Sequence, residues 1–75
     1  MSKLPQVKPH ILLKFFQKQG FIVTRQTGSH ARLIHRDGRK ITIAIHNKPI
    51  ALGTLRAVLK QANMDRDTFQ KLFKK

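Results

Sequence analysis

The stretch Arg25-Gln26-Thr27-Gly28-Ser29-His30 joins two predicted strands of this chain. β-Branched and aromatic residues over 21–26 predict a strand, which runs into the small turn Thr27-Gly28-Ser29. A second strand is predicted over 30–35, with His30 at its start. Imidazole has an ordinary pKa of roughly 6.5, so it both takes and gives a proton near neutrality. The stretch therefore predicts a hairpin that presents His30, and its small turn leaves the backbone open to a bulky polyanion.

A second turn signal follows the strand that starts at His30. Arg36-Asp37-Gly38-Arg39 predicts a hairpin, because Asp-Gly tolerates the positive φ that tight turns require. The third strand is predicted over 40–46, where isoleucines alternate with smaller or polar residues. These signals together predict three antiparallel strands with one buried face.

The pairing of the second and third strands is predicted from their apolar faces, because a slip of one residue would send every side chain to the other face. This register places His30 opposite His46 on the outer face, with Arg32 nearby. A register offset by one residue is the alternative, and it would separate the two histidines. The predicted core pairs are Ala31 with Ile45, Leu33 with Ile43, and His35 with Ile41.

Helices are predicted before and after the three strands in the sequence. The first covers 9–19, shows apolar residues on one face, and ends at Gly20 in the left-handed conformation. The second covers about 52–62 and is capped by Gly53 or Thr54. A third short helix follows Asp65 as its N-cap. The order α-β-β-β-α(-α), with helices packed on one face of a three-stranded antiparallel sheet, is an α+β fold.

Positive charge is the most prominent feature of the composition. The 75 residues include 16 Lys and Arg and 3 acidic residues, all of them Asp, for a formal charge of +13. A field of this sign attracts polyanions and makes association dependent on salt. Nucleic acid is the favoured partner, although an acidic protein or a membrane surface would satisfy the same electrostatics. Charge alone does not distinguish an enzyme from a binding protein.

The composition also excludes several kinds of site. The length allows one domain, over 1–75, with a small core, and the absence of cysteine removes disulfides and thiolate nucleophiles. The four histidines and three aspartates are scattered along the chain, so we expect no metal and no cofactor. No apolar run reaches the ~18 residues of a membrane span, and the N-terminus lacks an apolar signal segment. A cytoplasmic protein without membrane contact is expected.

Several sequence blocks occur in an order and spacing that match a known family. The run from Gly20 to His30 is followed by Asp37-Gly38-Arg39 and then by Gly53-Thr54-Leu55-Arg56. Together they resemble the HicA family of mRNA interferase toxins, over nearly the whole chain. The resemblance implies a double-stranded-RNA-binding-domain-like fold and an mRNA-cleaving endoribonuclease with a single essential histidine, at His30. It also implies a HicB-type antitoxin that silences the toxin. The toxin could form a homodimer, or a heterotetramer with the antitoxin.

The chemistry needs little beyond proton transfer and charge stabilisation, because RNA carries its own nucleophile, the 2′-hydroxyl. His30 would act as general base or acid while a nearby cation stabilises the phosphorane. Direct attack by water is the alternative reaction. The residues expected to contact RNA or to support the transition state are Arg25, Gly28, Ser29, Arg32, Arg39, His46 and Lys48.

A noncatalytic RNA-binding module of the double-stranded-RNA-binding type is the alternative function, and there His30 would contact phosphate without chemistry. His46 is open between a proton carrier, a phosphate ligand and the polar end of a strand, whereas the parity of His35 indicates a structural role. An outer sheet face that binds an acidic partner is compatible with a toxin masked by its antitoxin. The phenylalanines have core parity and the chain has no Trp or Tyr, so weak selectivity for RNA sequence is expected.

Overall fold

The computed structural model describes residues 4–73 and has the element order α-β-β-β-α-α. The three strands form one antiparallel sheet in the order β1-β2-β3. The predicted α+β class is therefore confirmed, and the basic tail over 74–75 lies outside the described residues. The elements are α1 Pro9–Lys18, β1 Phe21–Thr27, β2 His30–His35, β3 Lys40–Ala44, α2 Leu52–Gln61 and α3 Arg66–Phe73.

The helices pack against one face of the sheet and enclose a core that is rich in phenylalanine. Phe15 of α1 meets Phe16 edge-on at 5.1 Å between ring centroids and Phe69 of α3 at 5.0 Å. Alternate residues of β2 and β3, such as Leu33 and Ile43, close the core from the other side. The opposite face of the sheet is left open. None of the helices within residues 4–73 is long and apolar enough to cross a membrane.

The predicted register between β2 and β3 is wrong by two residues. His30 lies opposite Ala44 rather than His46. The reason is the tightness of the hairpin, in which the amide of His35 donates to the carbonyl of Arg39 at 2.9 Å and Gly38 has a φ of 99°. His35 and Arg39 therefore close the hairpin, and a three-residue loop over 36–38 joins them. A shift of two residues preserves the faces, so the core prediction survives while the pairing of the two histidines does not.

One further strand end and one helix cap differ from their predictions. β3 ends at Ala44, although the amide of Ile45 still donates to the carbonyl of Ser29. α2 begins at Leu52 with Ala51 at its N-cap position and no side-chain cap, so the prediction of a Gly53 or Thr54 cap is wrong. The predicted cap of α3 is confirmed, because the carboxylate of Asp65 accepts a hydrogen bond from the amide of Thr68 at 2.7 Å.

Hydrogen bonds to two carboxylates link the stability of the fold to pH. The backbone amide of Thr68 lowers the pKa of Asp65, and the backbone amide of Arg39 lowers the pKa of Asp37. Because the pKa of each carboxyl is lower in the folded protein, its stabilising contribution is complete above the unfolded pKa and is lost as pH falls through the folded one. We therefore expect the melting temperature to decrease as the pH is lowered below about 4. Asp65→Asn should flatten this dependence. An unchanged dependence in Asp65→Asn would contradict the assignment.

Gly20 ends α1 in the predicted left-handed conformation, with a φ of 100°. A Cβ added there would come within 2.9 Å of His35 Nε2. His35 itself lies edge-on against Phe21, at 5.1 Å between ring centroids, and its Nδ1 accepts the amide of Asp37 at 3.2 Å. These contacts give His35 the structural role that its parity predicts.

Alanine substitutions at two glycines are expected to have opposite effects on stability. Gly20→Ala should lower the free energy of unfolding by more than about 1 kcal/mol, because it combines a strained φ with contact to His35. Gly53→Ala is the matched control, since it lies in α2 with nothing within 4 Å of an added Cβ. It should raise the free energy of unfolding by up to about 1 kcal/mol. Urea denaturation measures both, and equal shifts would contradict this account of Gly20.

Candidate active site

A β-bulge at Thr24 determines which residues of β1 reach the outer face of the sheet. Val23 pairs with Leu33 and Arg25 pairs with Arg32, so Thr24 is left without a partner in the ladder. Its hydroxyl donates to the carbonyl of Arg32 at 3.3 Å. Simple alternation from Val23 would have turned Arg25 toward the helices, and the extra residue moves it to the outer face. The bulge thereby places two arginines directly opposite each other.

The turn between β1 and β2 brings Thr27 opposite His30. Gly28 and Ser29 are the two turn residues, and Gly28 has a φ of 56°. A positive φ at the first of two turn residues matches the type II′ turn, which favours glycine there. A Cβ at Gly28 would meet no atom within 4 Å. The backbone beside His30 is therefore as open as the sequence predicted.

Three of the predicted site residues line one open depression of about 300 Å³ on the outer face of the sheet. They are Arg25, His30 and Arg32, and two threonines, Thr27 and Thr42, complete the lining. All five residues are exposed, and none of them is acidic. The depression therefore combines an accessible imidazole with two guanidinium groups.

The facing arginines need an explanation, because like charges directly opposite each other in a strand pair are destabilising. Arg25 and Arg32 form such a pair, and the residues that line the depression supply no carboxylate between them. A bound anion would relieve this repulsion. The arrangement therefore favours a phosphate or another oxyanion beside His30.

Arg39 is held away from this depression by contacts within the fold. Its Nε donates to the carboxylate of Asp37 at 2.8 Å, and its Nη1 donates to the carbonyl of Ala62. The guanidinium also lies 5.1 Å from the centroid of the Phe21 ring. These contacts fasten the β2–β3 hairpin to the end of α2. Arg39 thus stabilises the fold from outside the depression, and the RNA contact that the sequence suggested for it stays a prediction.

His46 and Lys48 also lie outside the depression. Both follow the end of β3 and line a separate cavity of about 310 Å³ between β3, α2 and the start of α1. Ala44 takes the position opposite His30 that His46 was predicted to occupy. His30 is consequently the one histidine among the residues that line the depression.

The two threonines of the depression were not among the predicted site residues. Thr27 could have been found from the two-residue turn, which forces it to lie opposite His30. Thr42 shows the correct alternation, but the mistaken register placed it farther along the sheet from Arg32, which it in fact faces. No group of three or more potential metal-ligating side chains was found within residues 4–73.

The sequence that forms this site matches a known protein family. The family model described as the HicA toxin of bacterial toxin–antitoxin systems matches residues 11–64, well over half of the chain. The matched range includes all three strands and every residue that lines the depression. A comparison with curated proteins gives no match. The chain therefore belongs to the HicA toxin family and is the toxin component of a toxin–antitoxin system.

Proposed function

We propose that this toxin is an endoribonuclease that cleaves mRNA on the outer face of its sheet, with His30 as the catalytic histidine. The observation that carries the proposal is the convergence of an exposed imidazole and two arginines in one open depression. A shallow site suits endonucleolytic cleavage, because an internal segment of a polymer can reach an open surface without an end being threaded into an enclosed cavity. The formal charge of +13 favours association with that polymer.

The reaction is an attack of the ribose 2′-hydroxyl on the adjacent phosphate. His30 removes the hydroxyl proton as the bond between O2′ and phosphorus forms, and the bond between phosphorus and the 5′-oxygen breaks. The leaving 5′-oxygen takes a proton from water or from the imidazolium. The products are a 2′,3′-cyclic phosphate and a free 5′-hydroxyl.

Arg25 and Arg32 stabilise the negative charge that accumulates on the phosphorane. They lie opposite each other across β1 and β2 and line the same depression as His30. Donors preorganised at a developing charge act without the reorganisation that water would require. Thr27 and Thr42 offer hydroxyl groups to the remaining oxygens of the phosphate or to the ribose.

The antitoxin partner is proposed to be of the HicB type and to silence the toxin by covering the depression. The residues that line the depression are all exposed in the chain alone, so a protein bound there would exclude RNA. A HicB-type protein should therefore compete with RNA, and prior binding of an uncleavable RNA should slow formation of the toxin–antitoxin complex. Simultaneous binding of both partners would contradict this mode of neutralisation.

Cleavage of a labelled single-stranded RNA in excess EDTA tests the proposed reaction. The matched substrate carries one 2′-deoxyribose at the cleaved nucleotide. We expect the RNA to be cleaved with a cyclic phosphate product. The deoxy substrate should remain uncleaved. A linear phosphate and continued cleavage of the deoxy substrate would show attack by water. Binding of both strands without any cleavage would show a noncatalytic RNA-binding module.

A further inference from the structure

The cavity at the end of β3 is a second site that the cleavage mechanism does not use. Its volume of about 310 Å³ is near the lower end of the range for small-molecule sites. Apolar residues form most of its wall, including Ile43, Pro49 and Val58, while His46 and Lys48 provide polar groups. An apolar interior with a few polar groups is the usual composition of a site for one planar organic group.

The walls of this cavity are held in place by the fold. The loop that follows β3 is fastened where the amide of Ile50 donates to the carbonyl of Val7 at 2.8 Å. Val7 is buried at 2% exposure, and Pro9, which starts α1, is buried too and lines the cavity. The cavity is thus formed before a ligand arrives, so little ordering of the protein opposes binding.

The cavity lies on the helix side of the sheet and the depression that contains His30 lies on the outer face, and the two approach each other at the edge strand β3. Ala44 lines the cavity and is the direct partner of His30 in the sheet, whereas Thr42 of the same strand lines the depression. Two residues of an extended strand span about 7 Å. An RNA strand with its reacting phosphate beside His30 would therefore bring a neighbouring nucleotide to the cavity by passing over the edge strand β3.

We propose that the cavity binds one nucleobase of the RNA strand that is cleaved at His30, and that it provides selectivity for sequence next to the cleaved bond. This inference rests on the proposed function. The apolar walls take the faces of the base, and the side chains of His46 and Thr54 are available to its polar edge. Lys48 supplies a positive charge for the phosphate attached to that nucleotide. Selectivity therefore comes from a fitted cavity and does not require bases to stack on an exposed aromatic side chain.

Two phenylalanine substitutions separate the cavity from the rest of the surface. Ala51 is exposed and lines the cavity, so Ala51→Phe fills it. Ala57 is exposed on α2 and is not among the lining residues, so Ala57→Phe makes the same chemical change elsewhere. Both variants leave the residues of the depression unaltered. Circular dichroism and thermal melting establish that each variant is folded.

The test is the affinity of the full chain for a 2′-O-methyl RNA hexamer, which is not cleaved by attack of a 2′-hydroxyl, and for hexamers abasic at each position in turn. We expect one abasic position to weaken binding to the unchanged chain and to Ala57→Phe by roughly tenfold. The same abasic position should have no effect on Ala51→Phe. Equal losses in both variants would overturn the proposal, as would an Ala51→Phe variant that loses affinity for the antitoxin alone.

Cleavage of the unmodified RNA by the same proteins distinguishes this proposal from the one on which it rests. We expect Ala51→Phe to cleave with a flattened base preference next to the cut, and Ala57→Phe to keep the preference of the unchanged chain. An absence of cleavage in all three proteins contradicts the ribonuclease function, and the abasic comparison then still decides whether the cavity holds a base. Cleavage with an unaltered preference in Ala51→Phe overturns the cavity proposal alone.

Discussion

Replacing His30 by alanine is expected to reduce the rate of RNA cleavage by roughly 10²–10⁴-fold, the usual contribution of a positioned general acid or base. His30 is the one histidine that lines the depression, so no neighbouring imidazole can substitute for it. RNA affinity should be largely unchanged, because the two arginines and the net charge remain. Single-turnover cleavage and equilibrium binding, measured on the same labelled RNA, separate the two effects.

His10→Ala is the matched control for this substitution. His10 is also exposed, but it lies on α1 and lines no part of the depression. The control should cleave RNA at the rate of the unchanged protein. If His30→Ala cleaves equally fast, or if it loses RNA binding in proportion to cleavage, His30 is a contact residue and the proposed chemistry fails.

The second large effect is expected for Arg32→Ala, which should slow cleavage by roughly 10²–10³-fold, as the loss of a preorganised donor to a developing oxyanion does. Stability should change in the opposite direction. Arg32 lies opposite Arg25 in the sheet, and removal of one of two facing like charges should raise the free energy of unfolding by about 0.2–1 kcal/mol. A loss of activity together with a gain of stability is expected where residues of a functional site lower the stability of the fold.

Arg36→Ala provides the control for charge. Arg36 is exposed in the β2–β3 hairpin and does not line the depression, so its removal lowers the net charge equally. It should weaken RNA association modestly and leave single-turnover cleavage intact. Equal losses of cleavage in the two variants would mean that overall charge, and not position beside His30, accounts for the effect of Arg32.

The order of the helices and strands was predictable because its signals are local. Gly20 ends α1 through a conformation that glycine adopts at little cost, and Asp37-Gly38 turns the chain for the same reason. Asp65 caps α3 through an amide three residues away. In each case the residue types and their spacing within one turn contain the physical cause, so no knowledge of distant parts of the chain is needed.

The register of the sheet was not predictable from its apolar pattern. Side chains alternate with a period of two residues, so a shift of two residues leaves every face unchanged. The pattern could therefore reject a slip of one residue but could not choose between His46 and Ala44 as the partner of His30. The tight turn that ends at Arg39 makes that choice through its hydrogen bonds to His35.

The composition and the blocks of sequence around His30 were sufficient to indicate a basic α+β domain, the HicA family and the histidine that the proposed chemistry uses. They could not indicate which cations lie beside that histidine, because Arg25 and Arg39 are the same residue type and both belong to the predicted hairpins. The bulge at Thr24 turns Arg25 to the outer face. Arg39 is instead held by its contacts with Asp37, Ala62 and Phe21. The assembly of the site therefore depends on strand pairing and packing between residues distant in sequence, and these contacts exist only in the folded chain.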